Sequence, residues 1–370
     1  MPYVPDGQWE TVSAAAAGFS RNISDALIAA EKLEIDAPLD LNMMLPKGKR
    51  HPNDRPLGPV KDRGRPSGVV IRNGYLVAQY GDINAADVTF SASKSYISAV
   101  AGMAFARGLI NDLDEPLSRT IDDGGFDSEQ NTNITWRHLL QQTSEWEGEL
   151  FGIPDWIDRG RQVGVGATMS ASSTVGGSAS SEDDYRHLQS PGSFWEYNDV
   201  RVNRTALSLL RILQEPLPDY LKRELMDPIG ASDSWQWHGY ESSWVEVNGR
   251  QVQSVSGGAH WGGGLWISTL DHARFGLLYL NRGRWGNAEI LPESWLTESL
   301  KPCELNPGYG FLWWLNHENT ISDIADGGAF AARGAGGNII FVWPAADVVI
   351  TLRWCSDCKQ AIDNILGCLV

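Results

Sequence analysis

A helix with no polar face has to be surrounded by protein, and residues 90–104, Phe90-Ser91-Ala92-Ser93-Lys94-Ser95-Tyr96-Ile97-Ser98-Ala99-Val100-Ala101-Gly102-Met103-Ala104, read as such a helix. Asp87-Val88-Thr89-Phe90 is a strand end or turn that feeds it. The segment belongs at the centre of the molecule, with the rest of the chain wrapped around it. Its first turn carries Ser91 and Lys94, spaced to share one face with hydroxyl and amine in mutual reach. A serine at a helix N-terminus sits at the positive end of the macrodipole beside free backbone N–H groups, which favour an alkoxide or an oxyanion. A buried lysine cannot stay a solvated cation, so it is either deprotonated or paired. Together these are the parts of an activated nucleophile. The same spacing recurs at Ser356-Asp357-Cys358-Lys359, where polar flanks make Ser356 or Asp357 a cap on the last helix instead. Two fixed letters in a long chain also arise by chance, so the remaining sequence has to decide.

Along the chain, residues 20–33 have helical spacing and residues 46–59 read as a loop rich in Pro, Gly, Lys and Arg. Ser67 to Gly81 is a hairpin, two β-branched apolar runs around Asn73-Gly74. Ile134 to Ser144 reads as a helix with Thr135 as its cap, and Arg204 to Leu213 as another. Between them, Gly164 to Asp184 is a Gly, Ser, Ala and Thr-rich loop of a length that is usually functional. Trp244 to Val255 forms a hairpin around Asn248-Gly249, and Gly257 to Ile267 is a glycine-rich entry to a helix at Thr269–Asn281. Gly310–Trp314, Ala329–Arg333, Asn338–Val342 and Asp347–Arg353 are consecutive strands, and Lys359–Leu369 is a terminal helix. Strands, a helical middle, then strands again imply an α+β fold whose antiparallel sheet draws on both chain ends and is flanked by helices. The expected division is a sheet domain of residues 1–90 and 256–370 and a mainly helical insertion of residues 91–255, with the active site between them.

The 370 residues suffice for one large domain or two, and the net charge of −16 disfavours nucleic acid and anionic membrane as partners. No apolar run is long enough to span a bilayer and no leader pattern opens the sequence, so a cytoplasmic protein is expected. Cys355-x-x-Cys358 lacks the second ligand pair of a zinc site and the early position of a thioredoxin-like motif, which leaves free thiols at a strand end and on the last helix. No metal and no cofactor is expected. The 16 tryptophans are more than a core needs and point to aromatic pocket walls as well.

Several of these residues line up with one family. The chain, over roughly residues 65–370, resembles the serine β-lactamase and penicillin-recognising superfamily, in particular the class C-like branch with its esterases, D-amino-acid peptidases and 6-aminohexanoate-dimer hydrolases. The resemblance is carried first by Ser91-x-x-Lys94 and its apolar helix. Gly108-Leu109-Ile110, Leu113 to Leu117 and Ile134 to Leu140 with Thr143-Ser144 follow as similar segments. Tyr197-Asn198-Asp199 stands where the family has Tyr-x-Asn, and Ala332-Arg333-Gly334 where it has Lys-Thr-Gly on an inner strand. Gly263 to Gly276 is a further similar stretch. The resemblance implies a β-lactamase-like fold and acyl transfer in two steps through an acyl-enzyme on Ser91, with Lys94 and Tyr197 sharing the proton work. It also implies an oxyanion hole from the backbone N–H groups of Ser91 and, on the inner strand, Ala335.

Two departures bear on substrate. Asp199 replaces an asparagine, and an aspartate near Lys94 favours the charged lysine, which moves the base role toward Tyr197. Ala332 replaces the lysine that helps hold a penicillin carboxylate, which argues against efficient β-lactamase or cell-wall peptidase activity. Arg333 could substitute, although neighbours on a strand point to opposite faces. Small esters or amides are therefore the expected substrates. Substrate contacts are expected from Asp199, Arg333, His260 in its glycine-rich turn, and Trp146, Trp261 and Trp313 as pocket walls. An α/β-hydrolase reading fails for want of Gly-x-Ser-x-Gly, and His138 reads as a hydrogen-bonded helix residue rather than a triad member. Transfer to an acceptor other than water, and a non-catalytic binding module of the same fold, stay open. The sequence allows a homodimer without choosing it.

Overall fold

The computed structural model describes residues 3–20, 22–44, 55–160 and 185–370. The whole loop expected from Gly164 to Asp184, and residues 46–54 of the one before it, lie outside the described residues. Asn73 and Gly74 adopt φ of 52° and 83°, the left-handed pair of a type I′ turn, and so β1 (Ser67–Arg72) and β2 (Tyr75–Tyr80) form the expected hairpin. After the short β3 (Asp87–Val88), a second hairpin joins β4 (Gln236–Val247) to β5 (Arg250–Val255) through Asn248 and Gly249 at φ of 50° and 73°. β6 (Gly264–Ile267) follows, where a direct entry to a helix was expected; Gly262, Gly263 and Gly264 turn the chain into it at φ of 87°, 68° and 80°. β7 (Trp314–Leu315), β8 (Phe330–Gly334), β9 (Asn338–Trp343) and β10 (Val348–Arg353) complete the strands of the two larger sheets, and Glu149–Leu150 with Ile153–Pro154 and Arg284–Trp285 with Ala288–Glu289 form two short separate ribbons. The strand expected at Gly310–Trp314 is mostly loop, because Leu312 sits at φ of 60° and gives its N–H to Leu140 O at 3.0 Å instead of to a ladder.

The main sheet is antiparallel with order β7-β8-β9-β10-β1-β2. Ile350 of β10 faces Phe341 on one side and Val70 on the other, so residues from the two ends of the chain meet at its centre. Every residue of β10 is buried, Thr351 and Arg353 included, as in a strand covered on both faces. A second sheet, β3-β6-β4-β5, binds the segment ahead of Ser91 to the β4–β5 hairpin and so crosses the division expected at residue 255.

The helices include α1 (Ile23–Lys32), α2 (Ser93–Ala106), α3 (Trp136–Leu140), α4 (Asp199–Leu213), α5 (Thr269–Leu280) and α6 (Cys358–Leu366), and further short helices span Leu217–Leu221 and Glu293–Ser299. Residues 93–104 of α2 are all buried, as a helix without a polar face demands. Gly102 makes this possible on one side: a Cβ there would lie 2.5 Å from the buried Trp295 ring. α5 lies on the main sheet at Val349 and Ile340, while α1 packs against α6 and β2. Thr135 caps α3 in a reciprocal box with His138, whose Nδ1 accepts the Thr135 N–H at 3.3 Å, the structural role expected of that histidine. α4 begins five residues before the expected Arg204, because Asn198 Oδ1 accepts from the N–H groups of Val200 and Arg201 at 3.0 and 3.2 Å. Asp357 caps α6 through the Gln360 N–H at 2.9 Å. No helix among the described residues is long and apolar enough to cross a membrane.

Candidate active site

Ser91 stands in a 3₁₀ turn, Phe90–Ala92, immediately ahead of α2 rather than within its first α-helical turn. Phe90 is held at φ of 47°, a costly conformation for an aromatic residue, so the surroundings must over-determine it. They do. Ser93 Oγ donates to Phe90 O at 2.7 Å and to Gly257 O at 2.8 Å. Thr89 gives its N–H to Leu265 O at 2.9 Å and pairs its hydroxyl with His272 Nε2 at 2.6 Å. The other His272 nitrogen meets Tyr96 Oη on α2 at 2.9 Å. Burial pushes His272 well below its ordinary value, so the ring is a neutral bridge between the turn and α2. The end of β8 presses on the same turn: a Cβ on Gly334 would lie 2.0 Å from Thr89 O and 3.1 Å from Ala92 N. That contact seats Gly334, the residue before Ala335, against the nucleophile turn.

Lys94 Nζ donates to Ser91 Oγ at 2.9 Å, to an Asp199 carboxylate oxygen and, at 3.4 Å, to Gly257 O. The lysine and aspartate side chains are each 1 % exposed, so the buried lysine is paired rather than bare. Gly258 leaves the room: a Cβ there would meet Asp199 Oδ1 at 2.5 Å and Lys94 Nζ at 2.8 Å. Lys94 Nζ also lies 4.8 Å from the centroid of the Tyr197 ring, over its face. Tyr197 stacks on Trp314 at 5.7 Å and meets Tyr309 edge-on at 6.2 Å. His260 Nδ1 is 3.7 Å from Asp199 and its Nε2 is 3.9 Å from Asp158, whose other oxygen accepts the Asp199 N–H at 3.0 Å.

The chain around Tyr197 and Asp199 is anchored by charge. Arg201 reaches Glu145 at 2.7 Å, Glu196 at 3.1 Å and Asp155 at 3.2 Å. Arg186 binds Glu145 and Glu196 at 2.6 and 2.7 Å, and Arg159 binds Asp155 at 2.9 Å. Asn198 is tied in as well, its N–H donating to Gln142 Oε1 at 2.9 Å and its amide to Asp155 O at 2.8 Å. Burial works to raise Glu145, but hydrogen bonds from Arg186 and the charge of Arg201 win and hold it below the usual carboxylate range.

The structure thus brings Ser91, Lys94, Asp199, His260 and the Tyr197 ring together. Trp261 backs His260 with its ring edge-on at 4.3 Å. Two expected pocket walls are corrected. Trp313 is fully buried among Phe275, Tyr279 and Phe330, because its neighbour Trp314 takes the opposite face and meets Tyr197. Trp146 is 3 % exposed with its indole N–H on Gly125 O at 2.7 Å, and is a packing residue. Arg333 does leave the sheet on the face opposite Ala332, and its guanidinium lies 5.5 Å from the Trp314 ring centre. The sequence reading missed Trp314, Tyr309, Gln142 and Asp158. Only Trp314 had a signal, in the alternation that places it opposite Trp313.

The profile of the Beta-lactamase family matches residues 88–354. Among curated proteins none matches. A putative 6-aminohexanoate-dimer hydrolase from Bacillus anthracis superposes with a TM-score of 0.55 at 18 % identity, over 94 % of this chain and 92 % of the other. EstCE1, described as a hydrolase with promiscuous acyltransferase activity, superposes at 0.59 and 15 % identity, over 96 % and 99 %. A D-stereospecific amidohydrolase from Streptomyces sp. does so at 0.53 and 17 % identity, over 80 % and 92 %. At such identities the likeness is one of fold.

Proposed function

Because the chain belongs to the Beta-lactamase family, we propose that it is a serine hydrolase that cleaves small esters or amides through an acyl-enzyme on Ser91. The observation that carries this reading is the buried line from Ser91 Oγ to Lys94 Nζ, at 2.9 Å, and on to Asp199. Ser91 Oγ attacks the substrate carbonyl and hands its proton to the Lys94–Tyr197 pair, and the leaving group takes that proton. Water then repeats the sequence on the acyl-enzyme. The N–H groups of Ser91 and Ala335 receive the developing oxyanion, a role supported by the packing of β8 on the nucleophile turn. His260, Trp261 and Arg333 are assigned to substrate contact. Ala332, buried and uncharged, offers no cation on its face of the strand, which keeps small esters and amides ahead of penicillins. The test is a panel of p-nitrophenyl esters, anilides, D-amino-acid amides and nitrocefin, with an added alcohol to reveal transfer in place of hydrolysis. Turnover of an ester or amide with little of nitrocefin is expected, and no turnover of any of them by folded protein would overturn the reading.

The ion pair makes a second prediction. Asp199→Asn replaces the carboxylate that holds Lys94 Nζ beside Ser91, and kcat/KM is expected to fall about tenfold or more, the effect of one charge-assisted hydrogen bond. Initial rates beside thermal unfolding check it, and an unchanged rate in the folded variant removes Asp199 from the site.

A further inference from the structure

All four cysteines are free, and two of them are in contact. Cys355 follows the end of β10 and Cys358 opens α6, with Ser356-Asp357 turning the chain between them so that the two thiols hydrogen-bond to each other. Both lean on one carbonyl. The Cys355 N–H donates to Gly337 O at 3.4 Å, and Cys358 Sγ lies 3.5 Å from the same oxygen and 3.6 Å from Cys355 O. The fit is tight: a Cβ on Gly337 would lie 1.7 Å from Cys355 O. As residues, Cys355 is buried and Cys358 partly exposed, so the turn is open to solvent on the Cys358 side.

We propose that Cys355 and Cys358 are a reversible dithiol–disulfide site that reacts with small-molecule disulfides and acts on the Gly334–Asn338 turn. The surroundings act on the pair in both directions, since burial opposes a thiolate at either sulfur. The positive end of α6 begins at Cys358, and the charge of Arg333 acts on the same thiol. The thiol–thiolate hydrogen bond, the largest cause, lowers Cys355 below an ordinary cysteine and raises Cys358, so the first proton leaves the pair readily and the second does not. In the reaction, a thiolate of the pair attacks one sulfur of a disulfide RSSR, forming a mixed disulfide and expelling RS⁻. The second thiol loses its proton, attacks the protein sulfur of the mixed disulfide and expels the other RS⁻. The dithiol is oxidised by two electrons, RSSR is reduced to two thiols, and the two protons of the pair go with them.

The consequence lies at the turn. Oxidation removes the Cys358 S–H donor from Gly337 O and redraws the contact with the turn that carries Ala335 and closes on Asn338, whose amide donates to Ala335 O at 2.6 Å. The chemical part of the inference stands by itself; the effect on turnover rests on the hydrolase reading. Trypsin, cutting after Arg353 and Lys359, releases Trp354 to Lys359 with both cysteines in one peptide. Native protein treated with glutathione disulfide and then iodoacetamide is expected to yield this peptide two hydrogens lighter and unalkylated, restored by dithiothreitol, while Cys303 and Cys368 stay reduced. Cys355→Ser is expected to trap glutathione on Cys358. A wild-type peptide alkylated at both cysteines, or one that keeps glutathione, overturns the site. Oxidised wild type is expected to change kcat/KM about fivefold, the effect of one hydrogen bond, with the Cys355→Ala/Cys358→Ala variant indifferent to the reagent. Equal turnover of the two redox forms refutes the coupling to the turn. If the protein hydrolyses nothing in either form, the fault lies with the reading of Ser91, and the mass of the peptide still decides the dithiol.

Discussion

Ser91→Ala is expected to lower the hydrolysis of every accepted substrate by about a thousandfold or more and to abolish labelling by a fluorophosphonate. The fold should survive the change. Ser91 Oγ accepts one hydrogen bond, from Lys94, and the amine keeps Asp199 and Gly257 O when it is lost. The stability cost is therefore that of one hydrogen bond, about 1 kcal/mol. The neighbouring hydroxyls cannot stand in. Ser93 Oγ is committed to Phe90 O and Gly257 O, and Ser95 Oγ to Leu312 O at 2.8 Å. Thermal unfolding of wild type and variant, beside initial rates and intact-mass labelling, separates lost chemistry from lost structure. Retained labelling in the alanine variant would move the nucleophile elsewhere and take the mechanism with it.

Glu145→Ala is the corresponding prediction for stability. Glu145 is fully buried and answers both Arg201 and Arg186, so its removal leaves a buried guanidinium short of a partner. Truncating one member of such a network costs roughly 3–5 kcal/mol, which for a chain of this length lowers Tm by about 5 °C at an unfolding entropy of about 2.1 cal/mol/K per residue. A surface control sharpens the measurement. Arg223 pairs with Glu215 at 2.8 Å, but its side chain is 51 % exposed, and Glu215→Ala should cost under about 1 kcal/mol. Activity should fall in Glu145→Ala as well, because Arg201 and Asn198 hold the first turn of α4 where Asp199 meets Lys94. The pH dependence has a definite sign. Glu145 sits below its ordinary value in the folded protein, so its contribution is present at neutral pH and is lost as pH falls through the folded value. Wild type should therefore lose more stability than Glu145→Ala on acidification, and equal acid lability would assign that loss to other groups.

What the sequence disclosed and what it hid follow from the range of the forces involved. Asn73-Gly74 and Asn248-Gly249 announce their hairpins because a two-residue turn needs positive φ, a local requirement written in adjacent letters. The nucleophile helix was legible because a helix with no polar face has one destination. β6 was not, since Gly262, Gly263 and Gly264 look alike whether they open a helix or a strand, and pairing with β3 and β4 decided the matter. Ser91, Lys94 and Tyr197 were singled out by order and spacing, with the family resemblance, and the fold sets Lys94 between the Ser91 hydroxyl and the Tyr197 ring. Asp158 and the Glu145–Arg201–Glu196 cluster were not, because partners such as Glu145 and Arg201 lie 56 residues apart and no local pattern marks a buried charge. Trp313 and Trp314 show the limit in one step: alternation says that two neighbours face opposite ways, and only the register with Ala331 says which way each one faces.

The position of β10 between β9 and β1 governs how this protein comes into being. The hairpin of residues 67–80 is made early, yet its neighbour in the sheet is residues 348–353. Until translation has delivered that last strand, β1 has one unsatisfied edge and the β7–β9 ribbon has no link to it. A growing polypeptide must therefore protect an apolar edge through most of its synthesis, and pairing β1 with β10 closes a loop of about three quarters of the chain, the kind of non-local contact that forms late.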